Sequence, residues 1–222
     1  MTDRSVLPAP PATAVPHARR AVAVLFVVLL ISLVGRLVFA AWEGPFDGAL
    51  SFDDVTRPGY WPLHIHLAGP AYALSFIATA IMLVLLTRAS WPGIAAGLLV
   101  ASGGLVFALV ITAEALPFVY ATDPGVVPEG QGRLLVAALN TRLDLLGPTI
   151  AGSSALIALG SVVGLVAVWV ARTTPRWFPP AALVLAVVSQ VLPLVAPVMI
   201  GYLLQLVVLA GIGWFGWLRS GR

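Results

Sequence analysis

The chain has 222 residues, of which 60% are hydrophobic and only 9% are charged, with a mean hydropathy of +1.02. Soluble domains carry about 25% charged residues, so this composition excludes an ordinary soluble protein and indicates an integral membrane protein. The net charge of +3 is the difference between twelve arginines and nine acids. The arginines are scattered along the chain, a distribution that does not indicate nucleic-acid binding. Because the chain contains no cysteine, disulfides, thiolate metal sites and cysteine nucleophiles are excluded.

The first part of the chain is predicted to be a cytoplasmic tail followed by a membrane span. Residues 1–18 contain four prolines and no apolar periodicity, which predicts a disordered tail. Arg19 and Arg20 then precede an apolar run over residues 21–42, long enough to cross a bilayer. The alternative is a signal peptide cleaved after Ala40. Arg36 argues against cleavage, because it lies between the apolar core and that cleavage site.

Apolar runs of spanning length recur along the rest of the chain. The predicted further spans are residues 61–86, 92–120, 143–171, 179–198 and 201–218. Only residues 199–201 separate the last two, so one long broken segment is the alternative there. Gly160 and Gly164 form a GxxxG motif, which predicts close packing of the fourth span on another helix. The predicted fold is all-α, with residues 19–222 forming a single membrane domain of six transmembrane helices.

The arginines predict the orientation of this bundle. With six spans, eight arginines fall on the side of the N-terminus and three on the other side, as the positive-inside rule expects. The first group is Arg4, Arg19, Arg20, Arg88, Arg172, Arg176, Arg219 and Arg222, and the second is Arg57, Arg133 and Arg142. We therefore predict a multi-pass protein of the cell membrane with both termini in the cytoplasm. The segment 133–140 is predicted to be an interfacial helix on the outer surface, or a lid over an outer cavity.

One acid, Glu114, interrupts the third predicted span. A carboxylate inside a membrane costs roughly 2.5–3.5 kcal/mol on insertion scales, so it requires a partner or a wet cavity. Three residues later, Pro117 cannot donate a hydrogen bond to the carbonyl of Ala113, which leaves an acceptor beside the acid. Glu114 is therefore the position around which a functional site is predicted.

The other polar residues of the spans gather toward the predicted outer side. Arg36 and Glu114 have opposite charges at similar depths, which predicts an ion pair between the first and third spans. Glu43 lies two turns beyond Arg36 on the same face and competes for it. The candidate ligand-binding residues are Arg36, Glu43, His64, His66, Glu114, Asn140, Arg142, Asp144, Gln190 and Gln205.

Two nearby histidines, His64 and His66, raise the question of a metal site. In a helix, positions i and i+2 point about 200° apart, so one ion cannot bind both side chains. The alternative is an extended segment between Pro62 and Pro70, with Glu114 or Asp144 completing the site. The third histidine, His17, lies in the predicted tail, which argues against bis-histidine haem. We therefore expect no metal site and no cofactor.

Three functions are compatible with these residues. The first is an outward-facing polar cavity between helices one to four that binds or moves a small molecule, a lipid headgroup or an ion, with Arg36 and Glu114 at its base. The second is a membrane enzyme acting on an outer-leaflet lipid or isoprenoid, with Glu114 or Asp144 as acid/base and His64 or His66 as proton shuttle. The third is a non-catalytic subunit whose polar groups contact a membrane partner. The lipid bilayer is the predicted surrounding in all three.

The turn before the fifth predicted span reads Thr174-Pro175-Arg176-Trp177. With this turn and its six-span hydropathy plan, the chain resembles uncharacterised six-helix integral membrane proteins of actinobacteria. The resemblance implies a six-helix membrane fold. It carries no activity and no site residue.

Overall fold

The helices of this protein are seen in a computed structural model that describes residues 14–44, 49–142, 146–191 and 198–220. Every regular element within these ranges is helical. In chain order the helices are α1 (Ala14–Glu43), α2 (Phe52–Thr56), α3 (Tyr60–Pro62), α4 (Gly69–Leu86), α5 (Trp91–Thr122), α6 (Glu129–Asn140), α7 (Gly147–Ala171), α8 (Phe178–Val191) and α9 (Val198–Ser220). A π-helical segment, Leu63–Ala68, joins α3 to α4, so that Tyr60–Leu86 is one continuous rod.

Five of these helical segments are long and apolar enough to cross a membrane. They are His17–Glu43, Tyr60–Leu86, Trp91–Thr122, Gly147–Ala171 and Met199–Ser220. Large apolar side chains are exposed along their outer faces, among them Ile31, Leu98, Leu109 and Val170. On helices of spanning length, apolar exposure on this scale is typical of faces that contact lipid. The chain is therefore a helical membrane protein whose outer faces contact the bilayer.

The helix α8 lies where the fifth span was predicted. Its 14 residues extend over roughly 21 Å, less than the hydrocarbon thickness of about 30 Å. The predicted span 179–198 continues into residues 192–197, which lie outside the described residues. A sixth crossing therefore stays a prediction.

The first helix begins earlier than its predicted span. It starts at Ala14, so residues 14–18 are helical where the sequence predicted part of a disordered tail. The prolines of this segment led to the prediction of a tail, because proline disrupts a helix interior. Pro16, however, lies in the first turn of α1, where proline is tolerated. Residues 1–13 of the predicted tail lie outside the described residues.

A short capped helix, α2, follows the first span. The Ser51 hydroxyl accepts a hydrogen bond from the Asp54 amide at 3.0 Å, and the Asp54 carboxylate accepts one from the Ser51 amide at 3.0 Å. This capping box satisfies two backbone donors at the helix start. Hydrogen bonds from Ser51 lower the pKa of Asp54. The cap is therefore complete at neutral pH and is lost only as the pH falls through that lowered pKa.

Glycines set the closest contacts of the bundle, which centre on α5. Gly104 of α5 lies against Phe76 of α4, where an added Cβ would overlap the ring. Gly160 and Gly164 of α7 are buried against α5 and α4, which confirms the close packing predicted from the GxxxG motif. On the other side of the bundle, α9 packs against α1, α4 and α8. The short helix α8 contacts both α7 and α9.

The glycine contact at Gly104 can be tested with a matched pair of substitutions. Both Gly104→Ala and Gly152→Ala replace a helical glycine and gain up to about 1 kcal/mol of helix propensity. Only Gly104→Ala introduces a methyl group against Phe76, whereas space is open around Gly152. We expect Gly104→Ala to lower the stability of the detergent-solubilised protein by about 1–3 kcal/mol. Thermal unfolding would measure this, and equal midpoints for the two variants would contradict the packing assignment.

Candidate functional site

Arg36 is the most deeply buried charged side chain that the structure describes. It lies on the stripe of α1 that carries Leu29, Leu33 and Phe39, each of which faces the core. Its side chain is only 1% exposed. Because α1 ends at Glu43, Arg36 sits roughly 10 Å below that end of the span.

Three neutral side chains bind the Arg36 guanidinium. Its Nη2 donates to Gln205 Oε1 at 2.9 Å, its Nη1 to Ser75 Oγ at 3.2 Å, and its Nε to Tyr202 Oη at 3.3 Å. The guanidinium carbon also lies 4.3 Å from the centre of the Tyr72 ring, within cation–π range. Arg36 thus links α1 to α4 and α9.

No carboxylate among the described residues balances this charge. The ion pairs in the described ranges join His64 to Glu43, and Arg133 to Asp53 and Glu129. The predicted pairing of Arg36 with Glu114 is therefore wrong, and so is the competing one with Glu43. The prediction used only the depth of each residue along its helix and not the direction of its side chain around the helix axis. The Arg36 side chain is directed toward α4 and α9 rather than toward α5.

A cavity of about 380 Å³ lies beside Arg36. Tyr72, Tyr202 and Gln205 line it near the guanidinium, while α7 and α8 supply small and aliphatic side chains. Glu114, His64 and His66 do not line it. This cavity is therefore not the one predicted between helices one to four with Glu114 at its base, because α8 and α9 form much of its wall. The predicted cavity stays a prediction.

Two of the predicted acids and one of the histidines form a separate group near the end of α1. The Nδ1 atom of His64 lies 2.7 Å from the carbonyl oxygen of Tyr60, and its Nε2 atom lies 3.8 Å from a carboxylate oxygen of Glu43. Since a carbonyl only accepts, Nδ1 carries the proton and Nε2 faces Glu43. Glu114 is half-buried and close enough to Glu43 for an electrostatic interaction.

His64 and His66 have different surroundings, although both lie in the π-helical segment. His64 is buried, with its ring 4.9 Å from Phe39 and 4.4 Å from Tyr60, centre to centre. His66 is exposed. Within the part of the chain that the structure describes, no group of three or more metal-binding side chains comes together. The segment is helical, so the extended conformation required by the metal alternative is not adopted.

The Asn140 side chain makes two hydrogen bonds to the backbone of Leu50. It donates to the Leu50 carbonyl at 2.7 Å and accepts from the Leu50 amide at 2.9 Å, which ties α6 to the segment before α2. Arg142 is exposed beyond α6. The helix α6 packs on α5 through Gly132 and Val136 and does not line the cavity beside Arg36.

Two candidate residues cannot be placed. Asp144 lies outside the described residues, as does the side chain of Gln190, whose backbone belongs to α8.

Three members of the Arg36 site were not predicted from the sequence: Tyr72, Ser75 and Tyr202. Tyr202 and Gln205 lie three residues apart on one helix face, a spacing that could have indicated a shared polar site.

The different surroundings of the two histidines give a matched test. We expect His64→Ala to lower stability by about 2–4 kcal/mol, because it removes a buried ring and a hydrogen bond to Tyr60. The exposed control, His66→Ala, should change stability by less than about 0.5 kcal/mol. Thermal or denaturant unfolding of the purified protein would measure both. Similar losses in the two variants would show that His64 is not the buried anchor of this segment.

Comparison of the chain with protein-family models, with curated proteins and with solved structures finds no match. The function is therefore inferred from two features of the chain itself. These are the buried charge of Arg36 and the cavity beside it.

Proposed function

We propose that this protein is a six-span protein of the cell membrane, with both termini cytoplasmic, that binds the anionic group of a small molecule at Arg36. One observation carries the proposal. The Arg36 guanidinium is buried, lines a cavity, and has no described carboxylate within 4.0 Å. The likeness to six-helix membrane proteins of actinobacteria stays a prediction.

The energetics of a buried charge support this reading. Removing a cation from water costs several kcal/mol, and hydroxyl, amide and aromatic partners offset that cost only in part. An arginine has five N–H donors, and the three described partners engage only three of them. An anion entering the cavity would neutralise the charge and accept the remaining hydrogen bonds, as bidentate carboxylate and phosphate groups do.

The position of the other polar residues favours binding over acid–base catalysis in this cavity. The candidate proton-transfer groups were Glu114, Asp144, His64 and His66. Asp144 lies outside the described residues, and none of the other three lines the cavity. Hydroxyl, amide and guanidinium groups supply the polar part of its wall. Such groups are suited to holding and orienting an anion.

The anion proposal predicts an unusual response to Arg36→Met. Without ligand, the variant should be as stable as the wild type or more stable, because an uncompensated buried charge is replaced by an apolar chain. With hexanoate or hexyl phosphate at about 100 times Kd, the wild type should gain about 2.7 kcal/mol of stability. Arg36→Met should lose this gain, which thermal unfolding in detergent would measure.

Two controls separate the site from general charge effects. Arg19→Gln removes the same charge from the exposed start of α1 and should keep the full response to the anions. Hexanol has the same chain without a charge and should stabilise neither protein. A response to hexanoate that survives Arg36→Met, or one lost in Arg19→Gln, would contradict the proposal.

The six-span topology can be tested directly because the chain has no cysteine. Single cysteines at Ala18, Gly130 and Ser220 would be labelled in intact cells with a membrane-impermeant maleimide. With six spans, only Gly130→Cys should react, whereas Ala18→Cys and Ser220→Cys should need permeabilised cells. Labelling of Ser220→Cys together with Gly130→Cys in intact cells would indicate five crossings instead.

A further inference from the structure

The cavity beside Arg36 is open at mid-height in the bundle. At its inner end Arg36 is 1% exposed, whereas the lining residues Val162 of α7 and Val187 of α8 are 44% and 60% exposed. Ala158, also exposed and lining the cavity, lies near the midpoint of the 25-residue helix α7. The opening between α7 and α8 therefore faces the hydrocarbon part of a bilayer, about 15 Å from either end of a span.

The wall between this opening and Arg36 is suited to a hydrocarbon chain. The small side chains of Ser154, Ala158 and Ser161 leave space along α7, and Leu183 and Leu209 face it from α8 and α9. The Ser189 hydroxyl donates to the Ala186 carbonyl at 2.7 Å, so it is satisfied within its own helix. Binding sites for apolar ligands combine such a wall with a few polar groups that fix one end of the ligand.

The proposed function and this geometry together narrow the range of possible ligands. A small water-soluble anion would have to cross hydrocarbon to reach an opening at this height, at a large desolvation cost. An amphiphile is already in the bilayer, and its chain can enter sideways while its head approaches Arg36. We infer that, if the cavity binds an anion at Arg36, its ligand is a single-chain amphiphile with one anionic head, admitted from the bilayer between α7 and α8.

Chain length and charge can be varied separately in a binding experiment on the full-length protein. The probes are hexadecanoate, hexadecyl phosphate, hexadecanol and hexanoate, with binding followed by native mass spectrometry and thermal shift. We expect the better of the two long anions to bind about ten-fold or more tightly than hexanoate, since each buried methylene adds roughly 0.8 kcal/mol. It should also bind about ten-fold or more tightly than hexadecanol, because a charged hydrogen bond is lost in the alcohol. Tighter binding of hexadecanoate would indicate a fatty-acid carboxylate, and tighter binding of hexadecyl phosphate a lipid phosphate.

A pair of substitutions on α7 tests the entry path without touching Arg36. Ala158→Phe narrows the opening and should weaken binding of the long anion about ten-fold or more while leaving hexanoate within about two-fold. Ala155→Phe places the same ring on an exposed position of α7 that does not line the cavity, and should change neither.

The outcomes separate the two proposals. If hexanoate binds as tightly as the long anions and Arg36→Met abolishes its binding, the proposed function stands and the amphiphile is excluded. Unchanged binding of the long anion in Ala158→Phe overturns the lateral entry path. If none of the anions binds in a way that Arg36→Met weakens, both proposals fail.

Discussion

The constraint on which this structure depends is one cation held inside a membrane protein without a described counter-charge. Arg36 is buried on α1, and its hydrogen bonds end on an amide and two hydroxyls from α4 and α9. The rings of Tyr72 and Phe76 cover the guanidinium at 4.3 and 4.9 Å. These contacts spread the charge over many dipoles and join three helices at one point.

Two kinds of contact leave a gap between two parts of the bundle. Glycines bring α7 against α5 and α4, and because backbones meet there, little adjustment is available. The polar network around Arg36 holds α9 against α1 and α4 through side chains. Both α4 and α8 contact α7 and α9, and the cavity lies among these four helices. If α7 and α9 moved closer together, they would close the cavity beside the charged Arg36 side chain.

The sequence predicted the helices well and the site only in part. Hydropathy depends on local composition, so the predicted span 61–86 differs from the helical rod Tyr60–Leu86 by one residue at its start. The role of Arg36 as a buried polar centre could also be anticipated, since it interrupts an apolar run. The hydrogen-bond partners of Arg36 could not be anticipated from the sequence, because they depend on which helices pack beside α1. Glu114 matched Arg36 in depth, yet Gln205, more than 160 residues away in sequence, accepts its hydrogen bond at 2.9 Å.

A purely structural role for Arg36 would account for its three hydrogen bonds but not for its surroundings. An arginine that only joins helices is best enclosed, with all five donors satisfied and no space beside it. Here the same guanidinium borders a cavity of about 380 Å³, and its hydrogen bonds to the described partners use three of its five N–H groups. Leucine or methionine would fill such a space and remove the cost of the charge. An arginine at the inner end of a cavity that opens toward the hydrocarbon is the arrangement expected if its ligand is an anion that dissolves in the membrane.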